Sequence, residues 1–268
     1  MIKIFGFLLL AYLCGPVCAK TTCAEVPGEQ NHPPLSVKGG SICFVQEAIL
    51  DDETDVPTGL SGISLYYIDN GSLPVRAKGR GLLYDETPGE IIDAFSMNVG
   101  CDRKEKIFVI HSFEVRNSLV EKNSSGKFYS VSVFYSYNGA LYQDERSSDW
   151  FGVGYSWLSD GKKVVYKFPY QSKKDVRRAV DSPFASLMFD EASIPVRLKS
   201  KTHLFDEPSV AGKSRKYLIA GDRAMLERMT AGWCKVGYSG RVKPLHMWLT
   251  CDALYVDERA RKKNVNLR

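Results

Sequence analysis

Histidine is scarce in this sequence, and no two cysteines have the Cys-x-x-Cys spacing of a zinc-binding loop. The 268 residues include 4 histidines, and these lie far apart in the chain. Zinc sites are built from Cys and His ligands at short, regular spacings. A glycine-rich phosphate loop is also missing, because Gly79 and Gly81 fall within a strand pattern. We therefore expect neither a metal site nor a bound cofactor.

Long apolar runs and a large excess of charge are missing as well. After residue 19, no segment has the ~20 apolar residues that a membrane-spanning helix needs. The chain carries 36 Lys and Arg against 31 Asp and Glu, a net charge of +5. This excess is too small to indicate nucleic-acid binding, which depends on a concentrated basic surface. With 44% hydrophobic and 25% charged residues, the composition also excludes disordered and collagen-like classes.

The chain begins with a segment that is typical of a secretory signal peptide, at residues 1–19. Lys3 precedes the apolar run Ile4–Leu13, and Val17 and Ala19 stand at the −3 and −1 positions of a cleavage site. Cleavage is expected after Ala19. The sequence therefore predicts a secreted or periplasmic protein with no transmembrane segment in its mature chain.

Five cysteines remain after this leader: Cys23, Cys43, Cys101, Cys234 and Cys251. In an oxidising compartment such residues usually form disulfides. Because their number is odd, at least one thiol stays free or bonds to another chain. A lipoprotein would carry its lipid on Cys14, Cys18 or Cys23, and none of these is preceded by the Leu-small-small sequence that lipid attachment requires.

The mature chain is predicted to contain two domains, with strands as the main element. Residues 20–40 are polar and contain Pro33-Pro34 and Gly39-Gly40, which indicates an irregular lead-in. Residues 41–190 are predicted to form an antiparallel β-rich domain, a sandwich or curved sheet with few short helices. Its expected strands include 63–68, 73–83, 106–115, 127–137 and 163–168.

Local signals place turns and short helices between these strands. Asn70-Gly71 is typical of a hairpin turn, because both residues tolerate positive φ. Helices are expected at Lys173–Val180, with Ser172 as the N-cap, and at Pro183–Met188. The segment 143–149 is predicted to be a polar loop.

A different pattern covers residues 196–255 and is followed by a basic tail at 256–268. Four elements occur in order: Leu204-Phe205 before a Pro turn, YLIAGD at 217–222, WCKVGY at 233–238 and WLTCDAL at 248–254. In this order they resemble a bacterial SH3-type domain. The segment is predicted to contain five short strands, and with their tight turns these predict a small β-barrel, since closure removes exposed strand edges. Ligand specificity is not carried over, because the sequence departs from the wall-hydrolase form of the domain at Met247.

The resemblance also implies one disulfide, between Cys234 and Cys251. Cys234 follows Trp233 on one strand, and Cys251 follows Trp248 by three residues on a strand expected to pair with it. Such positions are compatible with the ~5.5 Å Cα separation of a disulfide. The remaining cysteines, which provide one pair and one free thiol in an arrangement that the sequence does not determine, are Cys23, Cys43 and Cys101.

The sequence contains no persuasive catalytic constellation. Cys101 and His111 are the least implausible Cys–His pair, and Cys101 does not open a recognisable helix as the nucleophile of a Cys peptidase would. The acidic run at 51–55 is typical of a solvated loop, although it could also bind calcium weakly. An enzyme is therefore the least favoured class.

Eight aromatic side chains are the candidates for contact with a partner. They lie beside the polar loop at 143–149 or in the SH3-type strands, and Trp and Tyr often anchor interfaces. Aromatic residues of β domains also pack in cores, which is the competing interpretation. The candidates are Trp150, Phe151, Tyr155, Trp157, Tyr217, Trp233, Tyr238 and Trp248.

These observations favour an exported, non-catalytic binding protein of the cell envelope. We expect it to engage a protein partner, such as a toxin or a hydrolase, as an inhibitor or immunity-type protein. The alternative is a peptidoglycan or cell-wall binding protein that acts through its SH3-like domain, for which a mild positive charge would suit anionic wall polymers. Nucleic acid is not an expected partner.

Overall fold

The computed structural model describes residues 21–51, 53–85, 87–100, 104–116, 121–189, 193–239 and 244–258. Strands are the main element of these residues, and the helices are few and short. The predicted mainly β class, with antiparallel sheets, is confirmed. The predicted leader, Cys101 and most of the basic tail lie outside the described residues.

Four antiparallel strands form the first sheet, in sequential order. They are β1 (Glu29–Val37), β2 (Gly40–Leu50), β3 (Pro57–Asp69) and β4 (Val75–Arg76). The Asn70-Gly71 turn after β3 is confirmed, since the two residues have φ values of +47° and +83°. The strand predicted at 73–83 is reduced to β4, because the backbone of Lys78 bonds to Leu141 and Gln143 instead.

The lead-in predicted at residues 20–40 is only partly irregular, because β1 occupies its second half. β1 lies at the edge of the sheet and has register shifts on both sides of His32. Pro33-Pro34 is tolerated there, since a proline on an edge strand leaves no central hydrogen bond unmade. A disulfide between Cys23 and Cys43 fastens the start of this segment to β2.

The second sheet lies between the first sheet and the rest of the chain. Its strands are β5 (Glu90–Val99), β6 (Lys104–Glu114), β7 (Lys127–Tyr137), β8 (Ala140–Gln143) and β9 (Val153–Tyr155). Ile107 and Val109 of β6 enter a core shared with the first sheet, whereas Phe108 and Ile110 enter a second core on the opposite face. Strand β6 is therefore buried on both faces.

Short helices and a hairpin connect the second sheet to the third. They are α1 (Glu145–Phe151), β10 (Trp157–Ser159), β11 (Val164–Lys167), α2 (Lys173–Val180) and a 3-10 turn (Pro183–Met188). Helix α2 has the predicted bounds, and its N-cap Ser172 accepts a hydrogen bond from the N–H of Asp175. The prediction of a loop at residues 143–149 is wrong. Most of it is helical, because the Asp144 side chain accepts a hydrogen bond from the N–H of Ser147 and caps α1.

Seven strands form the third sheet, where the sequence predicts five. They are β12 (Ile194–Leu198), β13 (Thr202–Phe205), β14 (Lys213–Leu218), β15 (Arg223–Thr230), β16 (Trp233–Ser239), β17 (Pro244–Thr250) and β18 (Leu254–Val256). Their order is β14-β13-β17-β16-β15-β12-β18. Over the described residues the ladder ends at β14 and β18, so hydrogen bonds do not close the predicted barrel. A disulfide joins Cys234 to Cys251, the pair that the resemblance implies.

One core extends from the second sheet into the third. The ring of Phe151 packs edge-on against Phe108, with 5.9 Å between centroids. The ring of Tyr166 stacks on Trp233 at 5.8 Å, and its hydroxyl donates a hydrogen bond of 2.8 Å to the carbonyl of Ala231. The change of pattern near residue 190 therefore introduces a new sheet within a continuous core.

His111 on β6 is fully buried, and one of its ring nitrogens is unused. Its Nε2 lies 3.0 Å from the carbonyl oxygen of Pro88, and Nδ1 has no hydrogen-bond partner among the described residues. Burial lowers the pKa of His111 to about 4, although the Pro88 carbonyl and Glu90 favour the charged ring. As the pH is lowered, the His111 ring takes up a proton near pH 6.5 in the unfolded chain. In the folded protein it does so only at a lower pH.

We therefore expect the free energy of unfolding to fall as the pH is lowered from 7 to 4. The loss of stability that His111 causes approaches about 3 kcal/mol near pH 4. Each unit of pKa difference between the folded and unfolded states is worth ~1.4 kcal/mol. His111→Gln has no titrating ring, so its stability should depend less on pH in this window. Urea unfolding at pH 7, 5.5 and 4.5 measures the effect. The exposed His203, changed in His203→Gln, is the control, and equal pH dependence in both variants would contradict the assignment.

Removing the Cys234–Cys251 disulfide should lower the free energy of unfolding by about 3 kcal/mol. The reason is that the bridge restricts a loop with a sequence separation of 17 in the unfolded chain. A double variant, Cys234→Ala with Cys251→Ala, should melt at a lower temperature in thermal denaturation. The Cys23–Cys43 loop has a similar separation of 20, so its double variant should lose a comparable amount. An unchanged melting temperature would show that the bridge does not stabilise the fold.

Candidate functional site

Five of the eight candidate aromatic side chains are buried in the core. Phe151 on α1 has no exposed surface, and Trp233 is 3% exposed and packs edge-on against Phe205. Side chains in these positions present almost no surface to a protein partner. The structure therefore corrects their interpretation as contact residues, in favour of the competing one. The five are Trp150, Phe151, Tyr155, Trp233 and Trp248.

The other three candidates do not form a common surface. Tyr238 is partly buried and packs against the same core. Trp157 is 39% exposed on β10, and Tyr217 is 50% exposed on β14. Since β10 and β14 belong to different sheets, each exposed ring has to be considered with its own neighbours.

Tyr217 lies on a cationic hairpin at the edge of the third sheet. We define the β13–β14 hairpin as residues 202–218, with β14 as the outermost strand. Lys213, Arg215 and Tyr217 are all exposed along β14. The ammonium of Lys201 lies 4.2 Å from the centre of the Tyr217 ring. The hairpin thus combines positive charge with an accessible aromatic ring.

The positive charges of this hairpin are not neutralised within the described part of the chain. Lys213, Arg215 and Lys216 are exposed and form no ion pair with a described residue. The nearby carboxylate of Asp222 accepts a hydrogen bond from the N–H of Ile219 at 2.9 Å. In the described sheet β14 also has a neighbouring strand on one side only. A free strand edge and free cations therefore occur together.

A second feature is a cleft where α1, β7 and the end of β15 meet. It contains a cavity of about 500 Å³ and a neighbouring one of about 560 Å³. Asp149 and Arg228 line both cavities, Ser130 lines the first and Trp150 lines the second. These residues define what we call the junction cleft.

The local sequence explains how α1 is held against the junction cleft. Asp144 caps the start of the helix, and its Oδ2 lies 2.9 Å from Nζ of Lys106. At the other end, Gly152 has a φ of +66°, and a Cβ there would lie 2.4 Å from Oγ1 of Thr230. Only glycine therefore fits where α1 ends against β15.

Two arginines line the cavity of about 500 Å³, and they differ in their partners. Nη2 of Arg80 lies 2.7 Å from Oδ1 of Asp149, and its Nε lies 3.8 Å from Oε2 of Glu145. Arg228 is exposed and forms no ion pair with a described residue. This cavity therefore has one neutralised guanidinium and one with no ion pair among the described residues.

Two buried side chains of the cleft carry polar atoms with no hydrogen-bond partner in the described part of the protein. They are Ser130, through Oγ, and Trp150, through Nε1. Buried polar groups are normally hydrogen-bonded. These two buried atoms therefore have unmet hydrogen-bonding capacity beside the cavities. Ser130, Asp149 and Arg228 were not predicted as site residues, because no local pattern connects residues so far apart in the chain.

The other chemical candidates do not come together as a site. Oδ1 of Asp51 accepts hydrogen bonds from the hydroxyl and N–H of Thr54 and from the N–H of Glu53, and these bonds lower the pKa of Asp51. The carboxylate of Asp51 thus stabilises the loop in which it lies, through hydrogen bonds to Glu53 and Thr54. Within the described ranges, no group of three or more His, Cys, Asp or Glu side chains could hold a metal ion. Cys101, the candidate partner of His111, lies outside those ranges.

Comparison with known proteins adds no relative: no family model, curated protein or solved structure matches the chain. None of the helices in the described residues is long and apolar enough to cross a membrane. The function of the chain has to be inferred from its own side chains.

Asp144→Ala is expected to lower the free energy of unfolding by about 2 kcal/mol, the upper range for loss of an N-cap. Burial alone would raise the pKa of Asp144, but Lys106 and the N–H and hydroxyl of Ser147 outweigh it and lower the pKa. The removed carboxylate would also leave Lys106 without its partner.

The control for this variant is Glu145→Ala, which removes the adjacent carboxylate from the same helix. Glu145 is exposed and lies 3.8 Å from Arg80, so its loss should change stability by less than about 1 kcal/mol. Urea unfolding compares the two variants. Equal destabilisation would show that the cap is not what holds α1 in place.

Proposed function

We propose that this protein is exported and acts in the cell envelope as a non-catalytic binding protein. It would engage a protein partner, such as a toxin or a hydrolase, as an inhibitor or immunity-type protein. The observation that carries this proposal is the β13–β14 hairpin, where unpaired cations line a free strand edge. The two disulfides support the exported location, since such bonds persist in oxidising compartments.

The hairpin favours a partner segment that is extended and acidic. A strand edge can pair with an added strand through main-chain hydrogen bonds, while alternating side chains give specificity. Carboxylates of such a segment would meet the exposed Lys213, Arg215 and Lys216 along β14. The exposed ring of Tyr217 would supply apolar contact area beside these charges.

We also propose that residues 196–255 are an SH3-type domain. Two features of the sheet support this: β12 pairs with both β15 and β18, and β15, β16 and β17 form a meander. A 3-10 turn at Cys251–Ala253 precedes the last strand. The order of the motifs in the sequence points to the same class.

Cell-wall binding is the second candidate, and the same unpaired cations favour it. Lys213, Arg215 and Lys216 would attract an anionic wall polymer as readily as an acidic protein. Salt separates polymer attraction from strand pairing, because exposed charges are screened at high ionic strength. Binding to wall polymer should weaken steeply with salt, whereas main-chain pairing should persist.

Reversing the charge of the hairpin should abolish capture of the partner. The test variant of residues 20–268 combines Lys213→Glu, Arg215→Glu and Lys216→Glu. The control makes the same change of charge on the β10–β11 hairpin, with Lys162→Glu, Lys163→Glu and Lys167→Glu. Immobilised protein is incubated with envelope extract and washed with salt, and the retained proteins are identified. The test variant should lose a protein that the parent and the control both retain.

Hydrogen exchange of the captured complex then locates the contact. Slower exchange of the β14 amides on binding would support strand pairing. Equal capture by the test and control variants would exclude the hairpin as the contact. Retention of peptidoglycan alone, lost at high salt, would favour the second candidate.

A further inference from the structure

The junction cleft has chemistry that the β13–β14 hairpin does not use. Ser130 is 5% exposed and lines the cavity of about 500 Å³, and its buried Oγ has no hydrogen-bond partner among the described residues. A buried hydroxyl in this state costs free energy, which a ligand oxygen would recover. Ser132 is 6% exposed and lines the same cavity two residues further along β7. Since alternate residues share a face of the strand, two hydroxyls lie on one wall.

Arg228 supplies a positive charge to the cavity. Its guanidinium lines the cavity and has no ion pair in the described part of the chain, whereas Arg80 is held by Asp149 at 2.7 Å. A guanidinium matches the two oxygens of a carboxylate in a planar, bidentate arrangement. With one cation available, the cavity suits a singly charged group better than a phosphate dianion.

The remaining walls and the size of the cavity limit the carbon skeleton of the ligand. Val131, Val153 and Ala231 give apolar surface beside the hydroxyls. A volume of about 500 Å³ falls in the range of ~300–1,000 Å³ that small-molecule sites occupy. We propose that the junction cleft binds a small carboxylate that carries several hydroxyls, of the sugar-acid class. Its carboxylate meets Arg228, and a hydroxyl meets Oγ of Ser130.

Calorimetric titration of residues 20–268 with two sugar acids, glucuronate and N-acetylmuramate, tests this inference. Glucose and N-acetylglucosamine are the matched controls, because they lack the carboxylate. At least one of the two acids should bind saturably, and the neutral sugars should bind at least tenfold more weakly. Arg228→Gln should weaken binding of the acid at least tenfold. Arg215→Gln, which removes a guanidinium from the hairpin, should leave it unchanged.

Ser130→Ala gives a readout that a purely structural role would not produce. Because its hydroxyl has no partner in the described protein, its removal should leave the melting temperature unchanged or raise it. The same variant should weaken binding of the sugar acid by about threefold to tenfold, the loss of one hydrogen bond. Opposite effects on stability and affinity are therefore expected from one substitution.

Three results would overturn the inference. They are no saturable binding of either acid, equal binding of acid and neutral sugar, and binding that Arg228→Gln leaves unchanged. The inference does not rest on the proposed function. Titration reports on the cleft directly, whereas capture from envelope extract reports on the cations of β14, so each can fail without the other.

Discussion

The burial of β6 on both faces is the constraint on which the rest of the structure depends. Successive residues from Ile107 to Ile110 point alternately into two different cores. A strand in this position needs apolar side chains at every position, which is more typical of a buried parallel strand than of an antiparallel one. The first sheet covers one face of β6, and α1 with the third sheet covers the other. The unusual environment of His111 follows from its place on the same strand.

Because the second sheet is a middle layer, the chain has to reach across it twice. The first crossing brings Lys78 and Arg80 beside β8 and α1, through the bonds of Lys78 to Leu141 and Gln143. The second crossing carries the chain from β9 to the third sheet. The cavity of about 500 Å³ is lined by Arg80 from the first crossing and by Gly152, where α1 ends. The junction cleft is a consequence of this layering, and its charges come from three separate parts of the chain.

Local signals explain which elements could be predicted from the sequence. The strand at 127–137 and the helix at Lys173–Val180 have the predicted bounds, because strict alternation and a Ser N-cap are local patterns. Helix α1 has seven residues, too few to show a periodic pattern of apolar side chains. In the sequence, only the N-cap residue Asp144 indicates where this helix begins. Strand β1 was missed because Pro33-Pro34 is tolerated at a sheet edge, and edge positions are set by the partner strand.

The candidate sites were less predictable, because exposure and proximity depend on packing between distant segments. An aromatic residue beside a polar loop has the same sequence signature whether its ring faces solvent or the core. Phe151 and Trp157 illustrate this: the first is fully buried and the second is 39% exposed. Ser130 and Arg228 meet at one cavity only because β7 and β15 both pack against α1. No periodicity or motif carries that information.

The β13–β14 hairpin connects the two sites. Its outer strand presents the free cations, while Pro208, in the loop between its strands, lines the cavity of the junction cleft. That loop is closed by a hydrogen bond of 2.8 Å from the N–H of Asp206 to the carbonyl of Gly212, so it is tied to both strands. A ligand that contacts Pro208 and a partner that pairs with β14 therefore act on the same element. Any coupling between them must be reciprocal, because each changes the affinity of the protein for the other by the same factor.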